Sequence, residues 1–446
     1  AQQEVKQEQA RQRREAAEQS CKYPDFTVDI FGKIHLQPTY ENFKTMCKRC
    51  GISIQSDMIR RRMIIPTEIR NRHSMNCAEK AYSLGIQDQC TREGIHTNAN
   101  QVREWIKAEA DENRVNPVRL YLERQAEDYQ IQSDQAGEMM KAVFDCLQFS
   151  EDMTEEQYEK YDLLYSKWLV QCVAMAHNEQ GRYGAEFVLV LQSKRQGAGK
   201  TSFFRQLCSP PELQGYFLEG RSMNPEHKDD ILENTSCWIC ELGELESTTR
   251  KREMDKLKAF LTNSKDRVRA PYDPADCEYP RLTCYAGTVN EPDFLREAGR
   301  RFVVLPIIGV DLPRLKKLDM NRLWAEAYFV YRSDPNYFRL DQQETQEAVA
   351  ASEEFRSIFT EEQAVRDLLD WGSDPADWRE YTASEIARAL ELKDAARVGK
   401  ALRNLGYEKT SNVDIDRRFR ILHGSTYYTV PPLKRSAVYA EYEENI

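Results

Sequence analysis

The chain has 446 residues, too many for one ordinary domain, so about two to four folding units are expected. A net charge of −10 excludes a surface that is basic all over, but not nucleic-acid binding through a few positively charged loops. No apolar run approaches the roughly 20 residues of a membrane-spanning helix, and the charged, Gln-rich start is not a secretory signal, so a cytoplasmic protein without a membrane partner is expected.

Residues 1–20 read as a charged linker or tail, and because the chain opens at Ala1 rather than Met it is expected to be a piece of something longer. Residues 21–115 read as an N-terminal mixed domain in which Arg60, Arg61, Arg62, Arg70 and Arg72 form a local, solvated basic patch. The twelve cysteines show no framework spacing and read as reduced thiols. Cys47 and Cys50 are spaced like half a zinc site, but without a tight second pair they read as ordinary thiols, and Cys237 and Cys240 as core.

From Asn116, an expected cap ahead of Pro117 at the first helical position, the pattern is helical to about 180. Trp168, Leu169, Cys172, Val173 and Met175 form its apolar stripe. Short apolar runs then alternate with polar helical stretches, with strands expected at 187–192, 237–242, 282–289 and 302–308. That alternation is the signature of an α/β nucleotide-binding core. Residues 312–350 read as helices. In 355–434, helices at 382–390 and 395–405 precede two strands around His423-Gly424-Ser425, the layout of a winged helix. Residues 393–434 carry nine Lys/Arg against four Asp/Glu, so this unit suits either DNA or a docking protein. Residues 435–446 read as a tail.

The chemistry concentrates after the first strand. Gln196-Gly197-Ala198-Gly199-Lys200-Thr201-Ser202 follows a buried strand and opens a helix, as a phosphate-binding loop does. The glycines let backbone N–H groups turn toward phosphate oxygens, and the helix presents its positive end to the same anion. Lys200 would reach the β- and γ-phosphates of ATP, and Thr201 would offer its hydroxyl to Mg²⁺. The full G-x-x-x-x-G-K-[ST] pattern has glycine where this chain has Lys194. About 40 residues on, an apolar strand ends in Glu241 with Glu244 close by, an acidic pair suited to Mg²⁺ and to activating water. Asn290, at the tip of the next strand, is placed to orient that water. Arg300 and Arg301 precede the last strand and suit an arginine finger, which in trans implies a subunit interface. Lys256, Lys258, Lys265, Arg267, Arg269 and Arg281 lie between Glu241 and Asn290, and Lys258, Lys265, Arg267 and Arg269 are the candidates for holding DNA phosphates.

As an ordered set, these motifs resemble the virulence-associated E family, superfamily-3-like AAA+ helicase domains of phages and other mobile elements that often follow a primase. The matching runs are Gln196–Thr201, Trp238–Leu245, Leu257–Thr262, Asp266–Tyr272, Gly287–Asn290 and Gly299–Phe302. The resemblance covers about 115–335. It implies an α/β P-loop AAA+ core behind a helical collar, with a mainly helical N-terminal region and a C-terminal winged-helix domain. It further implies a homo-oligomeric, hexameric ring in a bacterial host cell, with ATP between subunits and single-stranded or forked DNA in the pore. Lys200 and Thr201 then serve ATP–Mg²⁺, Glu241 and Glu244 the acidic site, Asn290 the sensor, and Arg300 or Arg301 the finger. The family's Gly-Asn-Arg-Arg-Phe lacks its Asn here. The function expected is an ATP-dependent helicase or replication initiator of a mobile element. The alternatives are an initiator that uses ATP only for assembly, a small-substrate P-loop kinase, for which the sequence has no lid or acceptor pocket, and a DNA-binding module with a vestigial nucleotide site.

Overall fold

Five strands form the central sheet: β1 (Val188–Gln192), β2 (Phe217–Arg221), β3 (Ile239–Gly243), β4 (Cys284–Val289) and β5 (Phe302–Pro306). They lie in the order β5-β1-β4-β3-β2, each parallel to its neighbours. All five C-terminal ends therefore meet at one end of the sheet. The computed structural model describes residues 11–13, 15–16, 18–223, 227–243, 245, 251–268, 277–295, 299–356, 358–407, 419–422 and 424–434. Among them no helix is long and apolar enough to cross a membrane.

The central strands of the parallel sheet are largely apolar, which requires cover on both faces. Every residue of β1 and β4 is buried. Helix Glu155–Ala176, entered through a capping box at Thr154 and Gln157, packs against β1 and β4. Helix Lys200–Leu207 packs against β2 and β4. Three buried indoles tie these layers together through backbone carbonyls: Trp168 to Tyr285, Trp238 to Cys172 and Trp324 to Leu207, each at 2.8 Å. Buried indole N–H groups need such partners. Asn116 caps helix Pro117–Tyr129, and Trp168, Leu169, Cys172, Val173 and Met175 are all buried, as their spacing predicts.

Strand β2 is one edge of the sheet and has no counterpart among the expected strands. Its sequence, Phe-Leu-Glu-Gly-Arg, is half exposed, and a bulge between Leu218 and Arg221 breaks its register. It has neither the alternation nor the apolar run that marks a strand in sequence.

The chain forms two compact units, Ala1–Pro292 with Gly299–Ala351, and Asp293–Ala298 with Ser352–Ile446. Within the first, residues 21–112 have their own core around Phe43, Met46, Ile54, Ile86 and Trp105. Cys47 lies in it, and burial pushes its thiol up to about 12, while Cys50 is exposed. The second unit holds helices Thr360–Leu368, Ala383–Ala389 and Ala395–Asn404 and a three-stranded antiparallel sheet. That sheet runs Arg379–Thr382, Ser425–Val430, Phe419–Leu422 in space. Thr382 and Glu385 form a capping box, and Gly406 ends the third helix with φ 93°.

Candidate functional site

The loop after β1 occupies the end of the sheet where the chain order reverses, with β5 on one side of β1 and β4 on the other. Crevices at such switch points are where α/β sheets bind ligands. Gly197 and Gly199 take φ of 78° and 88°, backbone open in practice to glycine. A side chain at 199 would also lie 3.2 Å from Val310 Cβ, so this position requires glycine twice over. Gly199 caps helix Lys200–Leu207, which leaves the helix's first N–H groups facing the loop. Lys194, Arg195, Gln196 and Gly197 are exposed, whereas Ala198 and Lys200 are buried and Thr201 and Ser202 half-buried.

Three strand tips converge beneath that loop. Lys200 Nζ donates to Asn290 Oδ1 at 2.8 Å and to the Ser193 carbonyl at 3.3 Å. Thr201 Oγ1 donates to Glu241 Oε1 at 3.1 Å. Glu241, fully buried, also accepts from Thr288 Oγ1 at 2.5 Å, and its Oε2 accepts from the Gly220 N–H at 2.5 Å. Gln192 donates to the Asn290 carbonyl at 3.1 Å, which fixes the tip of β4 against β1. Of the residues expected as one site, Lys200 thus bonds Asn290 and the adjacent Thr201 bonds Glu241. Thr288, Gly220, Ser193 and Gln192 were not expected there. Thr288, a hydroxyl on an otherwise apolar strand, carried a signal; Gly220, which acts through its backbone, carried none. Glu244 lies outside the described residues.

Among the described residues no three His, Cys, Asp or Glu side chains gather as a metal cluster. Thr201 and Glu241 are a pair of hard oxygen donors beside the loop, which suits Mg²⁺, an ion that takes few protein ligands and shares the rest with phosphate and water.

The structure places Arg300 and Arg301 at the opposite end of the sheet. They precede β5, whose Phe302 pairs with Val188 at the start of β1. The length of β1, about 17 Å at 3.3 Å per residue, separates them from the loop. Arg301 Nη1 donates to the Glu186 carbonyl at 2.8 Å, and Arg300 Nη1 lies 3.5 Å from Glu186 Oε1. Burial and the charge of Arg300 draw Arg301 below its ordinary pKa, against the pull of Glu186.

The basic stretch contains an antiparallel pair, Lys265–Val268 with Cys277–Pro280, after helix Lys251–Leu261. Lys265 and Arg267 are exposed and Lys258 half-buried, and Lys265 pairs with Glu278 at 2.9 Å. Lys256, Asn263, Lys265 and Arg267 contribute to a 350 Å³ groove at the foot of this hairpin. Arg269 lies outside the described residues. Two expectations are corrected. Arg281 does not belong to the exposed basic set: it is fully buried, bound to Asp266 and lying 4.2 Å over the Phe260 ring. Arg61 is no solvated charge either, since its side chain is almost wholly buried and bonds to the same Asp266. Both burials follow from a carboxylate that needs cationic partners inside the protein.

No curated protein sequence matches this chain. Two solved structures of the NrS-1 C-terminal region resemble it distantly. An A-form apo structure is 12% identical, covering 66% of this chain and 75% of that one with a TM-score of 0.36. A second such structure is 14% identical, covering 66% and 78% with a TM-score of 0.30. Neither overlap is close enough to establish a common fold. The virulence-associated protein E-like domain matches residues 129–357. This stretch contains the whole central sheet, the loop of Gly197–Thr201, the acidic strand and the basic hairpin, and it is just over half of the 446 residues. The chain therefore belongs to the virulence-associated protein E-like family.

Proposed function

We propose that this chain is the ATPase engine of a DNA-acting machine of a mobile element, a superfamily-3-like AAA+ helicase or replication initiator. The observation that carries the reading is the pair of contacts Lys200–Asn290 and Thr201–Glu241 at the C-terminal ends of β1, β4 and β3. A cation for the phosphates, a hydroxyl and a carboxylate for Mg²⁺, and an amide for the attacking water are the parts a phosphoryl-transfer site needs. Bound Mg²⁺ would neutralise charge building on the phosphates. The loop N–H groups and Lys200 would hold ATP, with Gln196, Gly197, Ala198 and Ser202 shaping the cradle. Glu241 would accept the proton of the attacking water, and Asn290 would orient that water. The second acidic role remains assigned to Glu244.

The arginine pair lies too far from its own loop to touch the same nucleotide. It supports a head-to-tail assembly in which Arg300 or Arg301 completes a neighbour's site, with the hexamer as the ring implied by the family resemblance. Single-stranded or forked DNA would pass Lys258 on the helix and Lys265 and Arg267 on the hairpin, and Arg269 keeps its proposed part in the same contact. The helices and hairpin of the second unit are read as a winged helix. Two of its basic residues are already paired, Arg397 with Glu361 and Arg420 with Glu380, so a docking protein fits it as well as DNA does. A primase remains a proposed partner, and the bacterial cytoplasm the proposed location.

The test is the ATPase rate with and without single-stranded DNA, for wild type, Lys200→Ala and Arg301→Ala. DNA-stimulated hydrolysis lost in both variants is the expected result. A wild type that forms rings on DNA yet hydrolyses nothing would overturn the motor reading and leave ATP a role in assembly only.

A further inference from the structure

The turn Asp57–Arg61 of the N-terminal region touches two distant parts of the ATPase unit at once. Asp57 shapes the turn: its Oδ1 accepts the N–H groups of Ile59 and Arg60, both at 2.9 Å, and Arg61 closes it with φ 54°. On one side, Tyr216 donates its hydroxyl to Asp57 Oδ2 at 2.6 Å. Arg60 lies 4.2 Å over the Tyr216 ring and donates to the Gly215 carbonyl at 3.0 Å. A Cβ at 215 would sit 1.4 Å from the Arg60 guanidinium, so the glycine makes room for it. Tyr216 leads directly into β2, the strand whose Gly220 N–H holds Glu241.

On the other side, Arg61 Nη2 donates to Asp266 Oδ2 at 3.0 Å and stacks 4.6 Å from the Tyr279 ring. Asp266 and Tyr279 face each other across the two arms of the basic hairpin. Arg281 already neutralises Asp266 with a two-pronged contact, so Arg61 is a second cation on one buried carboxylate. Its Nη1 is buried without a hydrogen-bond partner. Such an arginine is a poor source of stability, because its burial cost is incompletely repaid. Its geometry serves position: one guanidinium holds the hairpin's foot against the turn that also bonds Tyr216, just ahead of β2.

We propose that Asp57–Arg61 is a positioning element joining the basic hairpin to the acidic strand, and that Arg61 is the positioning residue through which DNA on the hairpin alters hydrolysis at Glu241. The inference rests on the DNA-motor reading above for its functional half, and on the contacts alone for its structural half.

Arg61→Ala and Arg61→Lys in the full chain test it with two measurements. The first is hydrogen exchange of the amides of 265–268 and 277–279. Arg61→Ala should exchange there about tenfold faster with little change elsewhere. The second is ATPase with and without oligo-dT. DNA stimulation should fall at least about threefold while the basal rate stays within about twofold. Arg61→Lys should recover part of both, since it keeps the charge and loses the planar stack. Unchanged hairpin exchange in Arg61→Ala overturns the positioning role. Unchanged stimulation, or basal and stimulated rates falling together with exchange rising throughout, overturns the coupling. Wild type that DNA does not stimulate sinks the motor reading and the coupling with it, and the exchange result still decides the positioning role.

Discussion

Glu241 receives three donors from three elements: Thr201 at the start of the helix after the loop, Thr288 on β4 and the Gly220 amide on β2. A carboxylate so held is fully buried yet satisfied, and its direction is set by the sheet rather than by its own rotamer freedom. Glu241→Gln keeps the size and most of these contacts. It should bind a fluorescent ATP analogue as wild type does and lose hydrolysis by about 10²–10⁴-fold, measured as phosphate release. In the second unit Glu362 is the comparable buried acid. Burial opposes its ionisation, but hydrogen bonds from Arg356, Asn404 and Arg366 outweigh that and hold its pKa at about 2, below the ordinary 4.5. A depressed carboxyl adds stability that is complete above its unfolded pKa and is lost as pH falls through its folded value. The second unit should therefore lose stability between about pH 4.5 and 2. Glu362→Gln should flatten that acid limb in denaturant titrations and cost about 3–5 kcal/mol near neutrality, because Arg356 stays buried with its main partner gone.

Elements meet in this protein where glycines let backbones approach. A Cβ at Gly243 would lie 3.2 Å from the Gly220 Cα, so the close pairing of β3 with the bulged β2 depends on having no side chain there. Gly184, just before β1, is tighter still: its Cβ would lie 2.0 Å from the Thr262 carbonyl oxygen at the end of helix Lys251–Leu261. Backbone cannot swing aside as a side chain can. Gly184→Ala should therefore destabilise the chain by about 1–3 kcal/mol in thermal or urea melts. The expected strands at 187–192, 237–242, 282–289 and 302–308 form within a few residues of those limits, since each is a mainly apolar run suited to a doubly covered sheet. Strand β2 escaped because its half-exposed Phe-Leu-Glu-Gly-Arg has no such run.

The proposed assembly rests on where the parallel sheet puts its two ends. The loop lies at the C-terminal ends and the arginines at the N-terminal ends, so one copy cannot bring both to one phosphate. Mixing Lys200→Ala with Arg301→Ala chains, each inactive alone, should restore hydrolysis. Random mixing in equal amounts pairs an intact loop with an intact arginine at about one interface in four. If the mixture stays as inactive as its components, the arginine does not act across an interface. Hydrolysis by Arg301→Ala alone would instead remove it from the machinery.

Residue order along the chain was enough to predict the buried strands and the glycine turn of Gly197–Thr201, and to single out Glu241 and Asn290, which bond Thr201 and Lys200 beside it. Apolar runs, glycines and caps are local, and their physics is read a few residues at a time. The partnerships are not local. That Asn290 meets Lys200, that a backbone amide from an edge strand holds Glu241, and that Arg61 and Arg281 share one buried carboxylate depend on strand order and on which surfaces close over one another. An arginine in a basic run looks solvated in sequence. Only packing shows that an aspartate more than 200 residues away has drawn it inside.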